Sequence, residues 1–372
     1  MPPVLTRILQ RLLAVTIGLA LVLGAMEIVM RLAGEVPRQR NPLRGFHQTH
    51  AQLGWLGVPD YEARFGQDDF DVMVKLGPEG FRLPEHGVTG FAADAPKVAV
   101  LGDSFTWGWG VEQGEVYTDQ LQQQLGTRAE VRNFGINAYG TGQQLELYRE
   151  FVAPWKPDVV VLAVFTNDFH DNVDEKGGRR PFYSMEDGRL TLNNVPVRRA
   201  IAGRSRDLSR FSVAISYLHF HVDQAVAKWK ASRKEALAAE SGNAGAPAEG
   251  AGPVIPEEEQ VIFDGLLAAL QGEVGPETRL WVLYIPERHE VLAGRNDGRG
   301  DFVAATCAAH GLPFFDLTPG LAQVLSEMPG PHPGALPLYF PHDMHWAAAG
   351  HRAVGRILAR DLPWGELASH GK

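Results

Sequence analysis

Residues 97–105 read KVAVLGDSF, and residues 158–168 read DVVVLAVFTND. Each segment is a short apolar run, rich in β-branched residues, that ends in small and polar residues. Runs of this kind are typical of strands buried on both faces of a parallel sheet. The carboxyl ends of parallel strands lie along one edge, where open α/β sheets bind ligands. We therefore expect Ser104 and Asn167, which follow these two runs, to lie at a ligand-binding edge.

Further apolar runs alternate with helical patterns along the chain. Strands are predicted at Glu130–Phe134, Arg279–Ile285 and Pro313–Leu317, and helices at Gly114–Leu125, Thr141–Val152, Phe302–His310 and Ala347–Arg360. This alternation predicts an α/β protein with a doubly wound parallel sheet and helices on both faces.

The N-terminal segment predicts a transmembrane helix. Leu12–Met26 is uncharged and mostly apolar, and it follows Arg7 and Arg11. A span needs about 20 residues, a length that is reached if Glu27 extends its carboxylate to the interface. The preceding positive charges place the N-terminus in the cytoplasm and the rest of the chain outside. We favour an uncleaved signal anchor over residues 1–34, with a cleaved signal peptide or a buried helix as alternatives.

The remaining chain divides by composition. Residues 35–96 are rich in Gly and Pro and predict an irregular or β-containing lead-in that packs on the main α/β domain, residues 97–372. An insertion at 171–256 interrupts that domain. Within it we expect a hairpin at Phe182–Val197 around Asp187-Gly188, a helix at Ser209–Ala239 and a flexible Gly/Ala/Pro linker at 241–253.

Charge and cysteine content exclude some classes of protein. The 372 residues carry a formal net charge of −9, and no basic stripe suggests a nucleic-acid partner. The only cysteine, Cys307, cannot form an intrachain disulfide and is expected to be buried and inert. No cofactor is predicted.

Three polar features follow predicted strands. Ser104 opens a helix after Gly102-Asp103, although an isolated GDS is more often a turn with a capping serine. Gly135, in NFGIN at 133–137, can let the backbone approach a ligand and supply an N–H donor. Asn167 can donate its side-chain amide to an oxyanion.

The fourth feature is PHDMHW at residues 341–346, just before the last predicted helix. A serine hydroxyl needs a base, and the base needs an orienting carboxylate. Asp343 and His345 provide both. A metal site built from His342, Asp343, His345 and His351 is an alternative, but no HExxH pattern accompanies it.

Taken together and in this order, the four features resemble the SGNH/GDSL hydrolases. The resemblance runs from about Lys97 to Leu362 and implies a three-layer α/β/α, flavodoxin-like fold. It implies that Ser104 is the nucleophile, His345 the general base and Asp343 its partner. It also implies an oxyanion hole formed by the N–H groups of Ser104 and Gly135 with the Asn167 amide.

One departure from the family pattern predicts local geometry. Most members have the Asp three residues before the His, whereas here it is two before, as in SGNH-like proteins of exopolysaccharide O-acetylation. Side chains two apart in an extended segment project to the same side. We therefore expect 341–345 to be non-helical, Asp343 to contact His345 Nδ1, Nε2 to face Ser104, and His342 to point away.

Gly80-Phe81-Arg82 and GDSFTWGWGV at 102–111 also resemble membrane-tethered bacterial members of the family. This resemblance implies a single-pass protein of the inner membrane with its catalytic domain in the periplasm or outside. Trp107, Trp109 and His170 are candidates for a substrate pocket, although packing explains Trp107 and Trp109 equally well.

The expected function is hydrolysis of short, acetyl-type esters through an acyl-serine. The expected substrate is an acylated small molecule or a polysaccharide. The alternatives are an O-acyltransferase to a cell-envelope or secreted polysaccharide, a catalytically silent assembly subunit with the same fold, and a metal-dependent hydrolase.

Overall fold

The computed structural model describes residues 3–85, 87–199, 204–241 and 255–364. Its strands are β1 (Arg38–Gln39), β2 (His47–His50), β3 (Gly54–Gly57), β4 (Glu62–Gly66), β5 (Asp71–Lys75), β6 (Lys97–Leu101), β7 (Glu130–Asn133), β8 (Val159–Val164), β9 (Phe182–Glu186), β10 (Arg189–Asn193), β11 (Arg279–Tyr284) and β12 (Phe314–Asp316). Its α-helices are α1 (Pro3–Leu32), α2 (Pro42–Gly45), α3 (Ser104–Trp107), α4 (Tyr117–Leu125), α5 (Thr141–Leu147), α6 (Asn167–Val173), α7 (Arg204–Phe211), α8 (Val213–Ser241), α9 (Glu257–Val274), α10 (Arg288–Ala293), α11 (Arg299–Ala309), α12 (Leu317–Glu327) and α13 (Ala348–Asp361).

In the described part of the chain, five parallel strands form the central sheet in the order β12-β11-β8-β6-β7. Alternate residues of each strand enter opposite cores, because successive side chains point to opposite faces. In β6, Ala99 and Leu101 pack in one core and Val98 and Val100 in the other. The α/β fold with helices on both faces is thereby confirmed.

The strand order creates the cleft that holds the site. β6 pairs with β7 on one side and with β8 on the other. The side on which the chain adds successive strands to the sheet therefore changes at β6. Ligands bind outside the carboxyl ends of the strands at such a switch point. Ser104 follows β6 and Asn167 follows β8, and both residues reach this cleft.

Most predicted elements agree with the structure to within a few residues, and two differ for local reasons. The helix expected from Gly114 begins at Tyr117, because Gly114 has a φ of +82°, outside the helical region. The helix expected over 141–152 is α-helical only to Leu147 and continues as a π-helical turn over Tyr148–Val152.

The lead-in is β-containing, as expected. β1, β4 and β5 form one small sheet, and β2 pairs with β3 in a hairpin. The aromatic rings of Phe46 and Phe65 pack against Trp107, with centroids 5.7 and 5.9 Å from the indole. These contacts attach the lead-in to α3, the helix that begins with Ser104.

The predicted hairpin of the insertion is confirmed. β9 and β10 pair antiparallel, joined by Asp187 (φ +49°) and Gly188 (φ +73°). Positive φ at both central residues is the type I′ pattern that favours Asp-Gly. The helix expected over 209–239 is present as α7 and α8. All of the predicted linker except Ser241 lies outside the described residues.

The N-terminal helix α1 is long and apolar enough to cross a membrane between Val4 and Leu32. Most of its apolar side chains are exposed, including Leu13, Leu21 and Val29. By length and composition alone, such a helix is either a membrane anchor or a signal sequence.

Candidate active site

Ser104 is the first residue of α3. The chain leaves β6 through Gly102 and Asp103, and the Asp103 Oδ1 caps the helix by accepting the Phe105 N–H at 2.9 Å. This capping orients the first turn and leaves the Ser104 N–H at the helix start, where developing negative charge is stabilised.

Ser104, His345 and Asp343 form a continuous hydrogen-bonded series. Ser104 Oγ lies 2.7 Å from His345 Nε2, and His345 Nδ1 lies 2.5 Å from Asp343 Oδ1. The carboxylate accepts the Nδ1–H, so Nε2 carries the free lone pair and can accept the serine proton. The predicted contacts of Asp343 and His345 are confirmed.

The segment that carries these two residues is non-helical, also as predicted. Residues 341–345 form a series of bends, and α13 begins only at Ala348. His342 points the other way: its Nδ1 lies 2.7 Å from Asp69 Oδ1, and its side chain is 79% exposed.

Arg288 holds this segment in place. Its guanidinium donates to the carbonyl of Asp343 at 2.5 Å and to the carbonyl of Phe340. Sequence reasoning missed Arg288, because it opens α10, far from the motif along the chain, and no local pattern marks it.

Trp109 contacts both partners of the serine. Its indole stacks on the His345 imidazole, with centroids 4.7 Å apart and planes inclined by 15°. Its Nε1–H donates to Asp343 Oδ2 at 3.1 Å. Trp109 therefore lies at the site, as considered from the sequence.

The surroundings of the Asp343 carboxylate favour its ionised form. Burial alone would raise the pKa of Asp343, but its hydrogen bonds to His345, the charge of that imidazole and the Trp109 N–H together hold the pKa below its ordinary value. An ionised carboxylate at this position can stabilise the imidazolium that forms when His345 takes a proton.

The Gly135 N–H is not an oxyanion donor in this structure, so that prediction is wrong. Gly135 donates its N–H to Asn133 Oδ1 at 2.8 Å and does not line the cavity over Ser104. A Cβ at this position would come within 2.4 Å of the Trp107 nitrogen. The glycine is required by the close approach of this loop to α3, not by a ligand.

Ala138, unlike Gly135, lines the cavity over Ser104. The Asn137 carbonyl accepts the Trp55 Nε1–H at 3.0 Å. Since the carbonyl and the N–H of a trans peptide point in opposite directions, the Ala138 N–H points away from Trp55. Ala138 lines the cavity, and within the described residues its N–H has no hydrogen-bond acceptor. Ala138 has a φ of +59°, in the left-handed region.

Asn167 is oriented by its neighbours. Its Nδ2 donates one hydrogen to Asp171 Oδ2 at 3.1 Å, which leaves a second hydrogen for a ligand. Asp171 is paired in turn with the fully buried Arg180 at 2.5 Å. Arg180 also donates from Nη2 to the Ala138 carbonyl at 2.7 Å. One arginine of the insertion thus supports both Asn167 and Ala138.

A cavity of about 420 Å³ lies over Ser104. It is lined by Trp109, Ala138, Asn167 and His345.

Two residues that were predicted to line the substrate pocket lie elsewhere. Trp107 is fully buried among the lead-in aromatics, because α3 turns its side chain away from the cleft. His170 is largely exposed and faces Glu259, because it projects from the outer side of α6.

Two buried carboxylates lie beneath the site. Burial raises the pKa of Asp103 to about 6. Burial, with the nearby charges of Asp103 and Asp171, raises the pKa of Asp168 well above its ordinary value. Asp168 Oδ2 accepts hydrogen bonds from Gln144 at 3.1 Å and Thr141 at 3.3 Å.

The side chains considered as metal ligands do not converge. His342 faces Asp69, whereas His351 is fully buried and accepts the Tyr117 N–H at 3.2 Å. Burial lowers the pKa of His351 to about 3. Over the residues that the structure describes, no group of three or more His, Cys, Asp or Glu side chains is placed to hold a metal ion.

Cys307 is buried, as predicted, and burial raises the pKa of its thiol to about 12.

Comparison with known proteins identifies a family for the chain. The sequence model of the GDSL-like lipase/acylhydrolase family matches residues 100–353. No curated protein matches the chain.

Solved structures that resemble the chain include three hydrolases. One is a lipase/acylhydrolase from Enterococcus faecalis, with 15% identity over 73% of this chain and 96% of that one and a TM-score of 0.39. Another is a catalytic variant of an acetylxylan esterase from Geobacillus stearothermophilus, with 15% identity over 75% and 98% and a TM-score of 0.40. The third is an alpha/beta hydrolase from the metagenome of Lake Arreo, with 17% identity over 76% and 99% and a TM-score of 0.40.

Proposed function

The chain belongs to the GDSL-like lipase/acylhydrolase family and is an enzyme of the serine esterase type, and we propose that Ser104, His345 and Asp343 are its nucleophile, general base and orienting carboxylate. The observation that carries the proposal is the 2.7 Å contact between Ser104 Oγ and His345 Nε2, with Asp343 on the opposite ring nitrogen. This arrangement meets the geometric requirement for an activated serine.

The reaction proceeds in two halves. Ser104 Oγ attacks the acyl carbon as its proton passes to His345 Nε2, and the resulting tetrahedral intermediate collapses to the acyl-serine. The leaving alkoxide takes the proton back from Nε2. Water then attacks the acyl-serine with His345 as base, which releases the acid and restores Ser104.

The oxyanion is bound by three donors: the N–H of Ser104, the N–H of Ala138 and the Asn167 amide. Ala138 replaces Gly135 in this proposal for the reasons of geometry given above. Loss of one such donor in an enzyme of this type costs about 10²–10³ in kcat.

The substrate we propose is a short, acetyl-type ester of a carbohydrate. Two features support this class. The lead-in contributes polar side chains to the cavity, Arg40, Asn41 and Gln67, which suit a hydroxyl-rich leaving group. The Asp-x-His spacing of residues 343–345 resembles the SGNH-like proteins that O-acetylate exopolysaccharides.

The experiment that tests the catalytic proposal is labelling of the full-length protein with a fluorophosphonate probe, together with hydrolysis of aryl acetate. We expect labelling and hydrolysis in the native protein and neither after Ser104→Ala. Both should persist in the control Ser326→Ala, a change at an exposed position of α12. Aryl octanoate is expected to react more slowly than aryl acetate. Undiminished labelling of the Ser104→Ala variant would contradict the proposal. Transfer of acetyl to an added sugar in preference to water would assign a transferase on the same acyl-serine.

We also propose that α1 anchors the protein in the bacterial inner membrane, with residues 97–372 as the catalytic domain on the periplasmic or outer side. The support is the apolar span Val4–Leu32 and the positive charges of Arg7 and Arg11 ahead of it. The full-length chain should fractionate with membranes and retain its N-terminal sequence. Recovery in the soluble fraction with residues 1–34 removed would identify a cleaved signal instead.

A further inference from the structure

The end of α1 is joined to the junction of α7 and α8 by polar contacts. Glu27 Oε2 accepts the Ser212 hydroxyl at 2.7 Å and the Ala214 N–H at 2.9 Å. Arg31 Nη2 donates to the Phe211 carbonyl at 2.6 Å. The start of α8 is therefore held at the level of Glu27 and Arg31 along α1.

In a bilayer spanned by α1, as proposed above, that level coincides with one surface of the hydrocarbon layer. From Arg11 to Arg31 is about 20 residues, or about 30 Å of helix, which equals the thickness of a typical hydrocarbon core. When Arg11 lies at one boundary, Arg31 lies at the other, and Glu27 lies about 6 Å inside it. The junction of α7 and α8, which binds both Glu27 and Arg31, then lies within about 6 Å of the boundary between acyl chains and headgroups.

Beyond this junction, α8 carries a stripe of apolar side chains that are exposed in the described part of the chain. It consists of Leu218, Val222, Val226 and Trp229, whose exposed fractions are 45, 59, 44 and 57%. These positions follow one another at three- and four-residue intervals and so share one helix face. Phe220, on the opposite face, is buried against the lead-in at Gly66.

We propose that the apolar stripe of α8 lies in the outer headgroup boundary of the bilayer that α1 spans, so that the catalytic domain docks on the membrane as well as being tethered to it. This inference rests on the proposed anchor. A bilayer is the fitting occupant because α1 exposes apolar side chains, and because Phe211, which is 67% exposed and binds Arg31 of α1, lies just before the helix that carries the stripe. Arg233 lies over the Trp229 ring at 5.4 Å, a pairing suited to the headgroup region.

Docking would also orient the catalytic cavity. α2 packs against α7, and the α2 residues Pro42 and Leu43 line the cavity over Ser104. The cavity therefore opens beside the docked elements, and esters displayed at the membrane surface are brought within its reach.

The test is nitroxide labelling of single cysteines in the full-length protein, in nanodiscs of phosphatidylethanolamine and phosphatidylglycerol. Native Cys307 is buried and does not compete for the label. Val226→Cys probes the stripe. Val261→Cys is the matched control, since Val261 is a helical valine with an exposed fraction of 45% against 44% for Val226. Val22→Cys reports on the span itself.

We expect the ratio of accessibility to oxygen over a nickel chelate to be at least threefold higher at position 226 than at position 261. Equal ratios at 226 and 261, with a lipid-like ratio at 22, would overturn docking and leave the anchor intact. A water-like ratio at 22 would overturn the anchor and docking together. A label at 226 shielded from both reagents would show that protein covers the stripe, which also overturns the proposal.

Discussion

The indole of Trp109 lies parallel to the imidazole of His345, and its N–H binds the second oxygen of Asp343. A single side chain therefore fixes the proposed base and its carboxylate through separate contacts. When His345 becomes an imidazolium during the reaction, its charge lies over the indole face, where a cation is stabilised.

Trp109 variants should separate these two contacts. Trp109→Phe keeps an aromatic face but loses the N–H, and we expect kcat to fall about tenfold, as for loss of one hydrogen bond to a charged group. Trp109→Ala loses both, and we expect a fall of about 10² or more. Steady-state kinetics on aryl acetate measures both, and an unchanged kcat in Trp109→Ala would show that the stacking has no catalytic effect.

The two histidines of residues 342–345 should differ sharply. His345→Ala removes the proposed base, and we expect kcat to fall by about 10³ or more. His342→Ala should change kcat less than about threefold, because His342 faces Asp69 and solvent. The reverse ranking in a kinetic comparison would assign the base to His342.

This contrast shows what the sequence could predict. Strong β-branched runs predict strands, and the spacing of Asp343 and His345 depends on local chain geometry. The central strands and the Asp343–His345 contact could therefore be predicted. Arg180, Arg288 and Trp55 act through contacts distant in sequence, and no local pattern marks them. Gly135 was misassigned because a glycine required by close packing on α3 has the same sequence signature as one required by a ligand.

Asp103 should make stability depend on pH. Burial raises its pKa from 3.8 to about 6. The folded protein then holds this proton more tightly than the unfolded chain, so between about pH 4 and pH 6 stability from this group falls as pH rises. The destabilisation caused by burying the charged Asp103 carboxylate is fully present above about pH 6 and absent below about pH 4.

Asp103→Asn removes the buried charge, while its amide oxygen can still accept the Phe105 N–H. We expect its melting temperature to exceed that of the native protein by a few degrees at pH 7.5, for a gain of at most about 3 kcal/mol, and to converge with it at pH 4. The control for loss of a capping carboxylate is Asp316→Asn, since Asp316 caps α12 in the same way. A pH-independent difference in melting temperature would contradict this origin of the effect.

Ala138 should tolerate glycine but not a larger β-branched side chain. Its φ of +59° is unfavourable for an L-residue with a Cβ, so Ala138→Gly should leave the N–H in place and raise the free energy of unfolding by up to about 1 kcal/mol. Ala138→Val should displace the N–H and lower kcat by about 10². Chemical unfolding and kinetics on the same variants check both effects, and a fully active Ala138→Val would remove this N–H from the oxyanion hole.

Arg180 should act on rate through the two donors that it supports. Its guanidinium pairs with Asp171, which binds Asn167, and also donates to the Ala138 carbonyl. Lysine can supply one of these contacts but not both, since only the planar fork of arginine presents several donors in fixed directions. We expect Arg180→Lys to lower kcat by about 10–10² with little change in KM, because the donors bind the oxyanion more strongly than the ground-state carbonyl.

A purely structural role for Arg180 makes a different prediction. If the arginine only stabilised the fold, Arg180→Lys would lower the melting temperature and the fraction of active protein, but active-site titration would show an unchanged kcat per labelled serine. The control is Arg189→Lys, an exposed arginine of β10 in the same insertion, for which we expect native kinetics. Affinity for a boronic acid, which binds Ser104 as a tetrahedral anion, should fall in Arg180→Lys by the same factor as kcat, because both depend on the same donors. A fall in kcat without loss of boronate affinity would exclude action through the oxyanion hole.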